Sequence, residues 1–125
     1  DLVSQPILAE QGWLITHLDS PDRRGIDLAL LYRAPFSMAG APVLHPIDLG
    51  TGASPTRGVL EVPMMAGGQP LWVLVNHWPS RYGGAEKSAP RRAAAAQTVR
   101  QVVDARLAVE THSDILIVGD LNDDP

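Results

Sequence analysis

Ile115-Leu116-Ile117-Val118-Gly119-Asp120-Leu121-Asn122-Asp123-Asp124-Pro125 is the stretch from which the fold can be read. Ile, Leu, Ile and Val run straight into Gly-Asp-Leu-Asn. That is the pattern of a buried strand delivering a carboxylate and a carboxamide to a sheet edge. Upstream of it, Ala95, Val99, Val102, Val103 and Leu107 recur at helical spacing. They predict the buried stripe of a long helix. Ser88 as cap and Pro90 in the first turn mark its start, and it runs to about Thr111. Before the helix, Leu71 to Val75 reads as a strand that feeds Asn76-His77-Trp78-Pro79-Ser80-Arg81, and Gly83-Gly84 marks a loop. Strand, loop, helix, strand is the shape of a crossover unit against one sheet.

The rest of the chain extends that sheet. Arg57 to Met65 predicts a strand, with Val59, Glu61 and Pro63 on one face and Leu60, Val62 and Met64 on the other. Ala66-Gly67-Gly68-Gln69 is a hairpin turn. Gly25 to Tyr32 is a strand, apolar on both faces in its later half and so expected to be central. Trp13 to Leu18 is another strand, and Asp19-Ser20-Pro21-Asp22 a turn cluster. Leu2 to Glu10 reads as the tail of a helix ended by Gly12. The Gly- and Pro-rich segment from Ala34 to Thr56 offers one short strand, Val43 to Leu49. No repeat, low-complexity tract or domain linker interrupts the chain.

Composition narrows the function. A chain of 125 residues is expected to hold one domain. Its net charge of −4 argues against a strong nonspecific nucleic-acid binder. It has no cysteine, which excludes disulfides, zinc–thiolate sites and cysteine nucleophiles. Either redox compartment fits that absence, so localisation stays open. No apolar run reaches the length of a membrane span. Charge is uneven: Arg81, Lys87, Arg91, Arg92 and Arg100 face only Glu86 between Arg81 and Arg100, whereas Glu110 to Pro125 carries five acids and no Lys or Arg.

Two predicted strand ends carry polar residues that make poor sense as packing. One is Asn76-His77 with Ser80-Arg81 after it, the other Asp120 with Asn122. Asp120 can accept a proton from water or help hold a divalent cation. Asn122 can donate to a phosphate oxygen without adding charge. His77 can exchange a proton near neutral pH. Arg81 can clamp a phosphate in bidentate fashion. Base, neutral donor, acid and cation are the parts for phosphoester hydrolysis, with a divalent metal to neutralise developing charge. A calcium loop is a rival for Asp120, Asn122 and Asp124, but its sixth position needs the positive φ of glycine and here holds Pro125.

Gly119-Asp120-Leu121-Asn122-Asp123-Asp124-Pro125 resembles the GD-[LF]-N-D-x-P motif of the endonuclease/exonuclease/phosphatase family. Asn76-His77-Trp78-Pro79-Ser80-Arg81 is similar to the NHWPSR motif of its bacterial members. Arg23-Arg24-Gly25-Ile26-Asp27-Leu28-Ala29-Leu30-Leu31-Tyr32 is similar to their upstream RGID-[VL]-ALLY strand. The three occur in the family's order. The resemblance implies an α/β fold, part of a four-layer α/β/β/α sandwich (DNase I-like), with this segment supplying most of one mainly antiparallel sheet and its crossover helix. It implies a metal-dependent phosphoesterase using Mg2+ or Mn2+ on a phosphate-ester substrate, nucleic acid among the candidates.

Residue by residue, the resemblance implies that His77 protonates the leaving group or steadies the phosphate. Asp120 would orient or activate the attacking water, and Asn122 would hold the scissile phosphate. Arg81, Arg24 and Asn76 would contact substrate phosphate, and Asp120 and Asn122 would be minor metal contributors. Members also carry an Asn and a metal-binding Glu upstream and an Asp-His pair downstream. Residues 1–125 are thus expected to be an incomplete domain with parts missing on both sides. The alternative reading is a catalytically incomplete piece that only binds phosphate ligands or a partner. Without a second sheet, one sheet face is expected to be apolar and uncovered, with Leu28, Leu30, Leu74, Ile115 and Ile117 among the candidates to line one face or the other.

Overall fold

A computed structural model describes residues 4–123. The elements are α1 (Pro6–Ala9), β1 (Leu14–Leu18), β2 (Leu28–Tyr32), β3 (Phe36–Met38), β4 (Val43–His45), β5 (Val59–Ala66), β6 (Gln69–His77), α2 (Ala85–Val109) and β7 (Ile115–Asp120). They form two sheets. The larger has five strands in the order β3-β5-β6-β7, with β4 also on β5; β1 and β2 form an antiparallel pair of their own.

Glycine sets the hairpin between β5 and β6. Ala66 pairs with Gln69, and the two loop residues, Gly67 and Gly68, both have positive φ, 57° and 89°. A two-residue hairpin of that hand follows the strand twist, and glycine adopts it without a Cβ penalty. After β6 the chain crosses through α2 and returns as β7, parallel to β6, with His77 opposite Asp120 and Asn76 opposite Gly119.

The alternation read along β5 holds in three dimensions. Leu60, Val62 and Met64 join Val73, Val75 and Leu28 in one core, with Leu18, Leu30 and Tyr32 packed against it. That core lies between the two sheets. On the opposite face Val59 and Leu74 meet Ala95, Val99 and Val102 of α2. The layers are therefore helix, sheet, sheet. Glu61 points to the helix face and is fully buried, where Arg106 of α2 engages both its carboxylate oxygens and His45 Nε2 approaches at 2.7 Å. The Arg106 guanidinium also stacks 3.8 Å above the Trp72 ring. Burial pushes the Glu61 carboxyl up, but these partners outweigh it and hold it below the usual range. No helix among the described residues is long and apolar enough to cross a membrane.

Several expectations change. The strand predicted over Gly25 to Tyr32 begins at Leu28, and it is not central: its partner is β1, and only Leu28 is buried. The central strands are β5 and β6. The segment contributes to two sheets rather than to most of one, because β1 and β2 stack on the larger sheet instead of joining its ladder. β7 is not buried. It pairs only with β6 among the described residues, leaving Leu116 47% and Ile117 45% exposed. An apolar hollow of about 430 Å³ opens beside it, lined by Leu30, Tyr32, Phe36, Leu71, Leu116 and Val118 among others. Leu28 and Leu74, expected as candidates for an uncovered face, are buried.

Helix α2 starts at Ala85 after Gly84, not at Ser88. Ser88 lies inside the first turns, where its hydroxyl donates to the Gly84 and Ala85 carbonyls at 2.8 and 3.2 Å. Pro90 sits in the helix interior, beyond the first turn. β3 was not foreseen, and the strand expected over Val43 to Leu49 stops at His45. Of the predicted N-terminal helix, Pro6–Ala9 is present and Gly12 follows with positive φ; Leu2 and Val3 lie outside the described residues.

Candidate active site

Strand order brings the two polar strand ends together. β6 and β7 are parallel neighbours, so His77 and Asp120 stand side by side on one edge although 43 positions apart in sequence. Gly119 makes this approach possible. A Cβ there would lie 1.9 Å from the Asn76 carbonyl oxygen, and its φ of 118° suits glycine alone. The glycine of the Gly-Asp-Leu-Asn run is thus required by packing one residue before the carboxylate.

Past the strands, the loops are tied to each other by backbone and side chain. The Trp78 N–H donates to the Asp120 carbonyl at 2.9 Å, extending the ladder. Asp120 Oδ1 accepts the Asn122 N–H at 2.8 Å, a turn that leaves Oδ2 without a hydrogen bond among the described residues. Asn122 has φ of 51°, a conformation asparagine tolerates, and its Nδ2 donates to the Trp78 carbonyl at 3.0 Å. Arg92, 4% exposed, anchors the loop from below. Its Nε donates to Asp123 at 3.1 Å, and its terminal nitrogens bind Ser88 Oγ at 2.7 Å and the Ala85 carbonyl at 3.2 Å.

A second buried arginine holds the His77 side. Arg57, 3% exposed, donates to the His77 carbonyl at 3.1 Å, the Trp78 carbonyl at 3.0 Å and Asp22 Oδ2 at 3.2 Å. Asp22 also accepts Arg24 through its N–H, Nε and terminal nitrogen at 2.8–3.0 Å. The Arg24 hydrogen bonds, with help from Arg57, hold the Asp22 carboxyl far below the usual range despite burial. Burial lowers the His77 imidazole, as do the positive charges of Arg57 and Arg24, and Asp120 and Asp22 oppose this incompletely.

His77 borders a cleft of about 640 Å³ lined by Arg23, Arg24, Arg57, Tyr82, Lys87 and Arg91, among others. Of the predicted site residues, His77, Asp120 and Asn122 gather at one strand edge, and Arg24 lines the cleft while bound to Asp22. Arg81 is exposed on the loop after β6 and outside that lining. Asn76 is corrected. It is 2% exposed, and its carboxamide donates to the Leu74 and Val118 carbonyls and accepts from Trp78 Nε1 at 3.0 Å. It braces β6 against β7.

Arg57, Asp22, Arg92 and Asp123 went unpredicted as site supports. Their partners are 31 to 35 positions away, so local sequence carries no signal for them. One further cluster, His17, Asp19 and Asp27, places ligating atoms within 4.8 Å of one another and could hold a cation. None of the three lines the His77 cleft.

Two stacked sheets, an outer helix and a histidine–aspartate strand edge define a DNase I-like architecture. The sequence matches the Endonuclease/Exonuclease/phosphatase family over residues 1–125, and the chain belongs to that family. No curated protein matches it. Among solved structures, the human Nocturnin catalytic domain with bound sulfate is similar at TM-score 0.66 and 18% identity, over 97% of this chain and 47% of that one. TDP2 from Caenorhabditis elegans is similar at TM-score 0.69 and 17% identity, over 98% of this chain and 35% of that one. A truncated form of that TDP2 gives 0.70 and 17%, over 98% and 45%. The chain spans less than half the length of each of these structures. At such identities the likeness establishes the fold.

Proposed function

We propose that the full-length protein, of which residues 1–125 would form an incomplete domain, is a metal-dependent phosphoesterase. The observation that carries this reading is the pairing of His77 with Asp120 across β6 and β7, beside a basic cleft, in a chain of this family. Asp120 Oδ2 takes a proton from water as its oxygen bonds to phosphorus, and the P–O bond to the leaving group breaks in line. Asn122 presents a neutral carboxamide to the phosphate. His77 protonates the leaving-group oxygen or steadies the phosphate by a hydrogen bond.

Asp120 and Asn122 offer oxygen donors that suit Mg2+ or Mn2+, and Mg2+ commonly binds through one or two carboxylates plus waters. When bound, the ion supplies charge neutralisation at the phosphate. Replacing Asp120 or His77 with Ala in the full-length protein is expected to remove most hydrolysis of bis(4-nitrophenyl) phosphate with folding unchanged. Wild-type turnover in either variant would sink the assignment.

A second reading is favoured by the charge count. Asp22 is spent on two arginines and Asp123 on Arg92, which leaves Asp120 as the one open carboxylate at this edge among the described residues. Residues 1–125 alone would then bind phosphate without hydrolysing it. Mg2+-dependent turnover by that piece would refute the second reading and leave the first standing.

A further inference from the structure

The His77 cleft is more basic than one scissile phosphate requires. Arg23, Arg24, Arg57, Lys87 and Arg91 line it against a single carboxylate, Asp22, in a chain of net charge −4. Asp22 is already consumed by Arg24 and Arg57. Arg23, Lys87 and Arg91 are exposed, and no ion-pair partner offsets them among the described residues. Lys87 and Arg91 are four residues apart on α2, so their like charges sit on one face and repel. No ion pair among the described residues relieves that repulsion. Tyr82, 95% exposed, lines the same cleft.

We propose that Lys87 and Arg91, with Arg23, form a second phosphate subsite, so that the preferred substrate carries at least two phosphates. One would lie at His77 and Asp120 and the next on this wall. The proposal rests on the phosphoesterase reading above. Two sources share the chemistry: the neighbouring linkage of an oligonucleotide, for which the Tyr82 ring offers a stacking face, or the second phosphate of a small bisphosphate.

The test is the Lys87→Ala/Arg91→Ala double variant of the full-length protein. Both positions are exposed and without ion-pair partners, and alanine favours helix, so folding is retained. Arg100→Ala is the control, since Arg100 sits on the same helix, pairs with Asp104 and lies outside the cleft. Three substrates are compared: bis(4-nitrophenyl) phosphate, a single-stranded oligothymidylate and fructose bisphosphate. KM for a multiply phosphorylated substrate is expected to rise about 10-fold in the double variant with kcat little changed, the scale of two lost exposed charge contacts. The one-phosphate ester should be unaffected. A rise confined to the oligothymidylate identifies a neighbouring linkage, and one confined to the bisphosphate identifies a small ester. Equal change on all three substrates, or on none, overturns the subsite. A wild-type protein inert toward all three refutes the phosphoesterase reading instead. Binding of labelled oligothymidylate then decides the subsite: the log–log salt slope should flatten by about 1.4 for two lost contacts, and an unchanged slope overturns it.

Discussion

Arg57→Ala probes how the site edge is held. The substitution removes three hydrogen bonds of 3.0–3.2 Å, to the His77 and Trp78 carbonyls and to Asp22, all from a residue 3% exposed. Breaking a buried ion pair from one side costs about 3–5 kcal/mol, much of it from the stranded partner. Asp22 keeps Arg24, so the lower end applies, about 3 kcal/mol. A folded domain typically has about 5–15 kcal/mol to lose, so the variant of the full-length protein should still fold. With a urea m-value of about 1–3 kcal/mol/M, the midpoint should fall by about 1–3 M.

A second readout separates positioning from mere stability. After burial, Arg57 is the largest influence holding the His77 imidazole down. Its removal should raise the His77 titration midpoint, followed by NMR of the ring protons, and shift the acid limb of any pH–rate profile upward. A midpoint in urea within about 0.3 M of wild type would refute the energetic argument. A destabilised variant whose His77 titrates unchanged would refute the link between Arg57 and the His77 ring.

Other outcomes follow from the same contacts. Gly119→Ala should cost about 3 kcal/mol or more, or prevent folding, because the new Cβ meets the Asn76 carbonyl; an unchanged thermal melt would contradict the close approach. Glu61 is held below 4.5 in the folded state, so the stability it contributes is present at neutral pH and lost as pH falls below that value. Glu61→Gln should remove this step from urea midpoints followed from about pH 7 to pH 3, leaving the later step of Asp22, which begins below 3.8. If the phosphoesterase reading is right, EDTA should abolish hydrolysis and added Mg2+ restore it; activity surviving exhaustive chelation would remove the metal from the proposal.

Much of this architecture was legible because its signals are local. Gly67-Gly68 fixes a two-residue hairpin, the stripe from Ala95 to Val102 fixes the buried face of α2, and the run into Gly119-Asp120 fixes a strand end. What failed were judgements of position. β2 looks central by its apolarity, yet it pairs only with β1 among the described residues and packs under the larger sheet rather than within its ladder. Ser88 and Pro90 look like a helix start, yet the helix begins at Ala85 and folds Ser88 into a network with Arg92. Asn76 looks like a phosphate ligand, yet burial turns its carboxamide into a brace between β6 and β7.

Periodicity and glycine chemistry act over a few residues, so the strand–helix–strand unit and the polar residues at its two ends are legible in the chain alone. Tertiary structure alone decided that His77 and Asp120 share an edge, because parallel pairing through a crossover sets register without any local mark. It also decided which charges are spent. Arg57 and Arg92 are indistinguishable from surface arginines in the sequence, and only their burial against distant carbonyls and carboxylates makes them supports of the site. Lys87 and Arg91 stay exposed without ion-pair partners among the described residues, which leaves them open to a ligand.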